Sequence, residues 1–440
     1  MNHLQKLAIV SGLFAASDCL ATDYYFEPRF STSQRYDTNL RMQPKPPQDN
    51  WITKFSPGAN FGFRKENSEL KTNFTWSELV YDNQSELNIA EQLVDANYKL
   101  GTERFTWGLA TSYSNQSNLT TNYVDSGAAF QAIQLMRHNL TISPSVSYAI
   151  DKKTNLSLTY NYTDLSYDKN PKVRNLYDYT YNQGSINLSH SYTEKDKLGL
   201  TLSTSLLDMP AIKPTFPFSS QSQTSLTETA QISWEHSFNE QLLASIAFGI
   251  NHSHTDSTIL GYKALYHCYP SPTQCFILVD SKGNFHGRQA FTSFESESPS
   301  TSKFGQIFNA SLQKAFERGS VSLSASQQLS PTTQGNMQQT VFDVGGKYKL
   351  SERWSSDIDG FYQISTFPVK QQINNTLFGG DRTYYAITPR ISWEWTPEIT
   401  LQLSYTYRQQ TLDGNNQPDR SSNSAMFQFN YQPQINRQVK

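Results

Sequence analysis

The residues able to do chemistry in this chain are few and scattered. It has 3 cysteines and 8 histidines in 440 residues. Cys268 and Cys275 lie close together beside His267, a short way after His252 and His254. Thiols and imidazoles are zinc ligands, but these do not fall at the spacing of a zinc site. A close cysteine pair in an exported chain reads as a disulfide, whose small ring would stabilise by about 2.5 kcal/mol on a chain-entropy argument. There is no Gly-x-Ser-x-Gly elbow and no His-Glu-x-x-His zinc helix. His138, His190 and His236 sit near the ends of apolar stretches, where a hydrogen-bonded ring is the plain reading. The sequence therefore predicts no enzyme, with no catalytic set, no cofactor and no metal.

The charged candidates are structural in spacing. Lys347 and Asp357 are equidistant from a short turn at 351–353, so they should face each other on adjacent strands. Asp359, Arg390 and Glu394 fall on the same or the next strand, while Glu91, Asp95 and Lys99 share one face of an earlier one. Such groups either filter solutes at a constriction or brace a wall as cross-strand pairs. The bracing role is the plainer expectation for Lys347 and Asp357.

The elements that must position these residues recur throughout. From Phe304 to Phe316 the even positions are mostly large and apolar; Glu317, Arg318 and Gly319 follow, and the alternation resumes at Val321, Leu323 and Ala325. Strand side chains alternate between faces, so each stretch has one apolar and one polar face. A soluble sheet of this size needs a covering layer, and no amphipathic helices stand out in the sequence. A closed barrel in a bilayer covers the apolar faces with lipid. Composition agrees: 17% charged residues, 13% aromatics and a mean hydropathy of −0.59. A net charge of −2 argues against a nucleic-acid partner.

Eight short turns can be located, at 65–67, 101–103, 151–153, 194–196, 239–241, 317–319, 351–353 and 396–398. Between them lie longer connections at 37–50, 82–87, 114–136, 164–176, 208–223, 253–302, 330–337, 366–381 and 411–421. Short periplasmic turns and long outer loops are the habit of outer-membrane barrels. The expected fold is all-β, a transmembrane antiparallel barrel of about 18 strands with both termini at the turn end. Aromatics crowd that end, among them Phe63, Phe105, Trp107, Trp234, Phe316, Trp354 and Trp395, as a girdle at one membrane boundary. Eighteen strands give a diameter of roughly 35 Å, too wide for the Ser, Thr, Asn and Gln of the inner face to fill. A wide, weakly selective pore is expected, narrowed by an inward-folding or capping loop at 253–302. Inward tyrosines such as Tyr177, Tyr179 and Tyr181 would suit sugar rings.

Residues 1–21 have the parts of a signal peptide: Lys6, an apolar core from Leu7 to Ala16, and small residues before Thr22. Residues 22–440 would then form the barrel in a Gram-negative outer membrane, with its lipids and the barrel-assembly machinery as partners.

Tyr36-Asp37-Thr38-Asn39-Leu40, followed by the stretch from Trp51 to Ala59 with its Ser56-Pro57-Gly58, resembles the β-barrel porin 2 family. Those motifs cover about 20 residues, the strand pattern nearly the whole mature chain. The resemblance implies an 18-stranded barrel and, as in some members, exopolysaccharide export with a periplasmic export component as partner. The rival reading is a surface receptor or adhesin acting through its loops; an outer-membrane enzyme is the weaker alternative.

Mass spectrometry of protein from an oxidising envelope should find Cys268 and Cys275 linked to each other; two free thiols would refute the pairing.

Overall fold

The computed structural model describes residues 22–43, 47–121, 134–168, 177–211, 220–264, 291–332, 335–366, 371–373, 376–378, 381–412 and 419–433. Residues 1–21, where a signal peptide is expected, and both Cys268 and Cys275 lie outside them.

The alternating stretches form strands. They are β1 (Asp23–Asp37), β2 (Asn50–Arg64), β3 (Ser68–Tyr81), β4 (Ile89–Gly101), β5 (Phe105–Ser117), β6 (Met136–Ala149) and β7 (Thr154–Tyr167). Next come β8 (Tyr179–Ser191), β9 (Asp196–Met209), β10 (Ser220–Asn239), β11 (Leu242–Ala264), β12 (Phe291–Phe316), β13 (Gly319–Thr332) and β14 (Gly335–Lys349). The chain continues with β15 (Trp354–Thr366), a small separate hairpin of β16 (Gln371–Ile373) and β17 (Thr376–Phe378), then β18 (Arg382–Thr396), β19 (Ile399–Leu412) and β20 (Arg420–Tyr431). Apart from that hairpin, each strand pairs with the next, and β1 pairs with β20, closing an 18-stranded antiparallel barrel. All eight expected turns join strands at one end. Asp23 pairs with Arg64 and Tyr431 with Ile399, which puts both ends of the barrel chain at the turn side.

Closure decides the energetics. In hydrocarbon every backbone donor and acceptor needs a protein partner, and a closed sheet leaves no edge. The apolar residues point outward: Trp107, Ile186, Leu202, Ile232, Phe248, Ile250 and Leu403 are all exposed on the lipid side. Rings gather at the turn end, where Trp354 stacks on Trp393 with centroids 5.6 Å apart. His236 Nδ1 lies 2.7 Å from Asp196, and His190 Nδ1 2.9 Å from the Thr154 hydroxyl, so both rings are held beside turns.

The seam between first and last strands carries its own lock. Asp37, 0% exposed, accepts from Arg408 at 2.5 Å, from the Ser422 hydroxyl at 2.5 Å and from the Asn39 backbone N–H at 3.1 Å. Asn39 Nδ2 donates to the Ser421 and Gln43 carbonyls, at 3.0 and 2.9 Å. The Tyr-Asp-Thr-Asn motif is thus the clasp of the barrel. Met42 holds a φ of 46° just beyond it, a left-handed conformation unusual for a bulky residue, in the turn that Asn39 pins.

One expectation is revised. The 253–302 connection does not read as loop throughout: β11 and β12 stay paired up to Ala264 and Phe291, with a register shift between Thr255 and Ser257. The alternation there loses its apolar half to Ser, Thr and Asp once the strands leave the bilayer, which hides their strand character.

Replacing Asp37 by Leu should cost about 3–5 kcal/mol by stranding a buried guanidinium. Adding Arg408→Leu should recover part of that loss. Urea unfolding in micelles would check both.

Candidate functional site: the lumen

Among the described residues the inner face carries the polar side chains that could meet a solute, and its chemistry is uneven. Among the described residues, the inward positions of β5, β7, β8 and β13 carry no charge. Hydroxyls and amides there bond to one another, as in Ser143–Asn161 at 2.7 Å, Asn187–Thr201 at 2.7 Å and Ser147–Ser157 at 3.0 Å. Charges concentrate on β1–β4 and on β14–β20.

The second group contains most of the expected site. Lys347 pairs in register with Asp357, and Asp357 with Arg390, so all three share one row. No ion pair forms between Lys347 and Asp357. Arg390 instead turns diagonally to Asp359, the bond that braces this wall. A guanidinium reaches a diagonal neighbour and grips both carboxylate oxygens, which a lysine does less well. Glu394 stands nearer the turn, opposite Thr400.

Asp95 and Lys99 occupy another part of the wall, on β4. Asp95 lies opposite Asn73 and lines a cavity of about 270 Å³ with Arg64, Glu69 and Lys71; Lys99 lies opposite Glu69. Glu91 is buried, accepts from the Ser117 N–H at 3.0 Å and lies 3.7 Å from Lys54. The seven charged candidates therefore do not form one cluster.

A larger cavity, about 760 Å³, opens beside the seam. Arg29, Arg35, Lys54, Glu91 and Arg408 line it with Ser31, Ser33, Gln428 and Asn430. Arg29 crosses β2 to reach Asn73 and Thr75 on β3. Gly58 makes that crossing possible, since a Cβ there would sit 3.0 Å from Arg29 Nε and 2.6 Å from the Phe74 carbonyl. No motif singles out these arginines in the sequence, although their parity is legible: they alternate with Phe26, Phe30 and Tyr36 along β1.

The inward tyrosines differ from expectation. Tyr177 and Tyr179 are buried with Leu135, Leu165, Tyr167, Leu207 and Met209 in an apolar pad, and Tyr181 packs against it. Their rings are occupied by one another, not presented to a solute. A second pad, of Leu40, Ile52, Leu79, Tyr81, Leu87 and Leu119, lies inside the mouth near the clasp.

The narrowing element among the described residues is the outer tip of the β13–β14 hairpin. Asn336 Nδ2 donates to Ser225 Oγ on β10 at 2.7 Å, although three strands separate β14 from β10 around the wall. That contact spans a chord of the lumen. Gly335, with φ +103°, lies against the Gln223 amide, a position where any side chain would be strained and would collide. The Thr332 hydroxyl closes the turn on the Gly335 carbonyl at 2.6 Å.

No family model matches the chain, and no curated protein does. Solved structures of similar shape include the open form of the ferric-catecholate import receptor Fiu from E. coli K12. It is 10% identical, with a TM-score of 0.45, 92% of this chain and 81% of that one being covered. OpdK from Pseudomonas aeruginosa is 9% identical over 93% of this chain and 99% of its own, with a TM-score of 0.42. OccAB4 from Acinetobacter baumannii is 8% identical over 93% and 98%, with a TM-score of 0.44. The class of this protein follows from its own geometry: a closed 18-strand barrel with an outward apolar band is an outer-membrane β-barrel.

The Asp359–Arg390 bridge is solvent-accessible, so replacing both residues by Asn and Gln should lower stability by under about 1 kcal/mol. A urea midpoint far below wild type would show a larger role.

Proposed function

We propose that the barrel is a porin-like conduit that passes polar solutes across the outer membrane and catalyses nothing. One observation carries this reading: the inner wall is lined with hydroxyls and amides around a circumference of 18 strands, which small side chains cannot fill. Charges concentrated in two sectors leave the inward faces of β5, β7, β8 and β13 neutral among the described residues, which favours transit of hydrated, uncharged solutes along them. Polysaccharide is the less favoured cargo, because the tyrosines that would stack on sugar rings are packed into the apolar pad. The signal peptide and export through the envelope remain part of the proposal.

Purified barrels in planar bilayers should give steady single-channel currents, and liposomes carrying them should swell in small sugars. Shortening the β13–β14 tip by removing residues 333–336 should raise conductance, and Asn336→Ala should raise it less. No current and no swelling, in wild type and both variants alike, would overturn the reading.

A further inference from the structure

We infer that the cavity beside the seam binds carboxylate-bearing polar solutes at two successive stations, with Arg29 as the anion-holding group of one and Arg35 of the other. The proposal deepens the pore reading, since the cavity is part of the same lumen. It rests first on charge. Of the other ionic groups on this cavity, Lys54 is paired with Glu91 at 3.7 Å and Arg408 with Asp37 at 2.5 Å. Arg29 bonds only neutral acceptors, the Asn73 amide oxygen and the Thr75 hydroxyl. Arg35 points inward from between Ile52 and Met426 and has no acceptor among the described residues. Among the described residues neither arginine is therefore bonded to a carboxylate, and both charges face one concave, partly shielded space, where they act more strongly than on an open surface.

Geometry supports the same conclusion. Gly58 gives Arg29 a clear path over β2, and two acceptors on β3 fix its guanidinium from one side. A guanidinium held that way keeps N–H donors for an incoming planar carboxylate, which it grips in a fork. Arg35 stands three inward positions further along β1, about 20 Å away at the backbone. The pair forms two stations on one track, with Ser31 and Ser33 between them. The volume, about 760 Å³, suits a ligand the size of a sugar acid. Hydroxyls and amides of Ser31, Ser33, Gln428 and Asn430 can meet the hydroxyls of such a molecule.

Gluconate tests this, with sorbitol as the uncharged match. Titration calorimetry on the detergent-purified barrel should show gluconate binding and no sorbitol binding. In Arg29→Gln/Arg35→Gln, the dissociation constant should rise at least about tenfold. Arg29→Lys/Arg35→Lys, keeping the charge, should fall between. In planar bilayers, gluconate should block wild-type current, and the Gln pair should shift the reversal potential in a salt gradient toward cations; Lys347→Gln/Asp357→Asn should shift neither. Calorimetry needs no open pore, so a silent bilayer with intact binding would sink the conduit reading alone. Equal gluconate affinity in wild type and a folded Gln pair, or no binding to wild type, would overturn both stations.

Discussion

Everything in this molecule depends on satisfying backbone hydrogen bonds where water is absent. A sheet in hydrocarbon cannot leave an edge open, so the first and last strands must find each other across the whole length of the chain. The Asp37 clasp sits at that join. It gathers Arg408, Ser422 and Asn39 around one buried carboxylate, and its bonds form only when β1, β19 and β20 are in register. A buried ion pair is a poor source of net stability but a strong penalty on misalignment. Its placement at the outer end of the seam fits a role in fixing register.

Closure also explains the inner wall. Once lipid covers the apolar face, the other face is left to water. Hydroxyl and amide side chains satisfy one another in short cross-strand bonds along most of it. Where charges appear, they follow the geometry of the sheet: Arg390 reaches diagonally to Asp359, and Arg29 spans a whole strand because a glycine lies in its path. The seam side holds more cation than its acids neutralise, and the opposite side holds little charge at all. The lumen thus has two different walls.

The alternation of apolar and polar residues set the strand faces, and charged turns at regular intervals set the number and direction of the strands. Trp234, Phe316 and Trp354 marked the turn-side boundary, because ring residues prefer the bilayer interface. Lys347 and Asp357 were placed opposite one another by counting from their turn, and they do lie in register. These features are local, fixed by period-two geometry and short turns.

What needed the tertiary structure were relations between distant segments. Counting from a turn cannot say that Arg390 prefers Asp359, since that choice depends on side-chain reach across two strands. Nor can it say that Tyr177 and Tyr179 bury each other's company in a pad drawn from three strands and the residues beside them, or that Asn336 crosses the lumen to Ser225. The 253–302 stretch looked like loop because strands outside a bilayer lose the apolar half of their pattern. The sequence by itself determined the barrel, its faces and its orientation, because lipid and backbone geometry constrain every strand alike. Only the closed structure decided what meets inside, because contacts across a lumen are set by curvature, tilt and side-chain length.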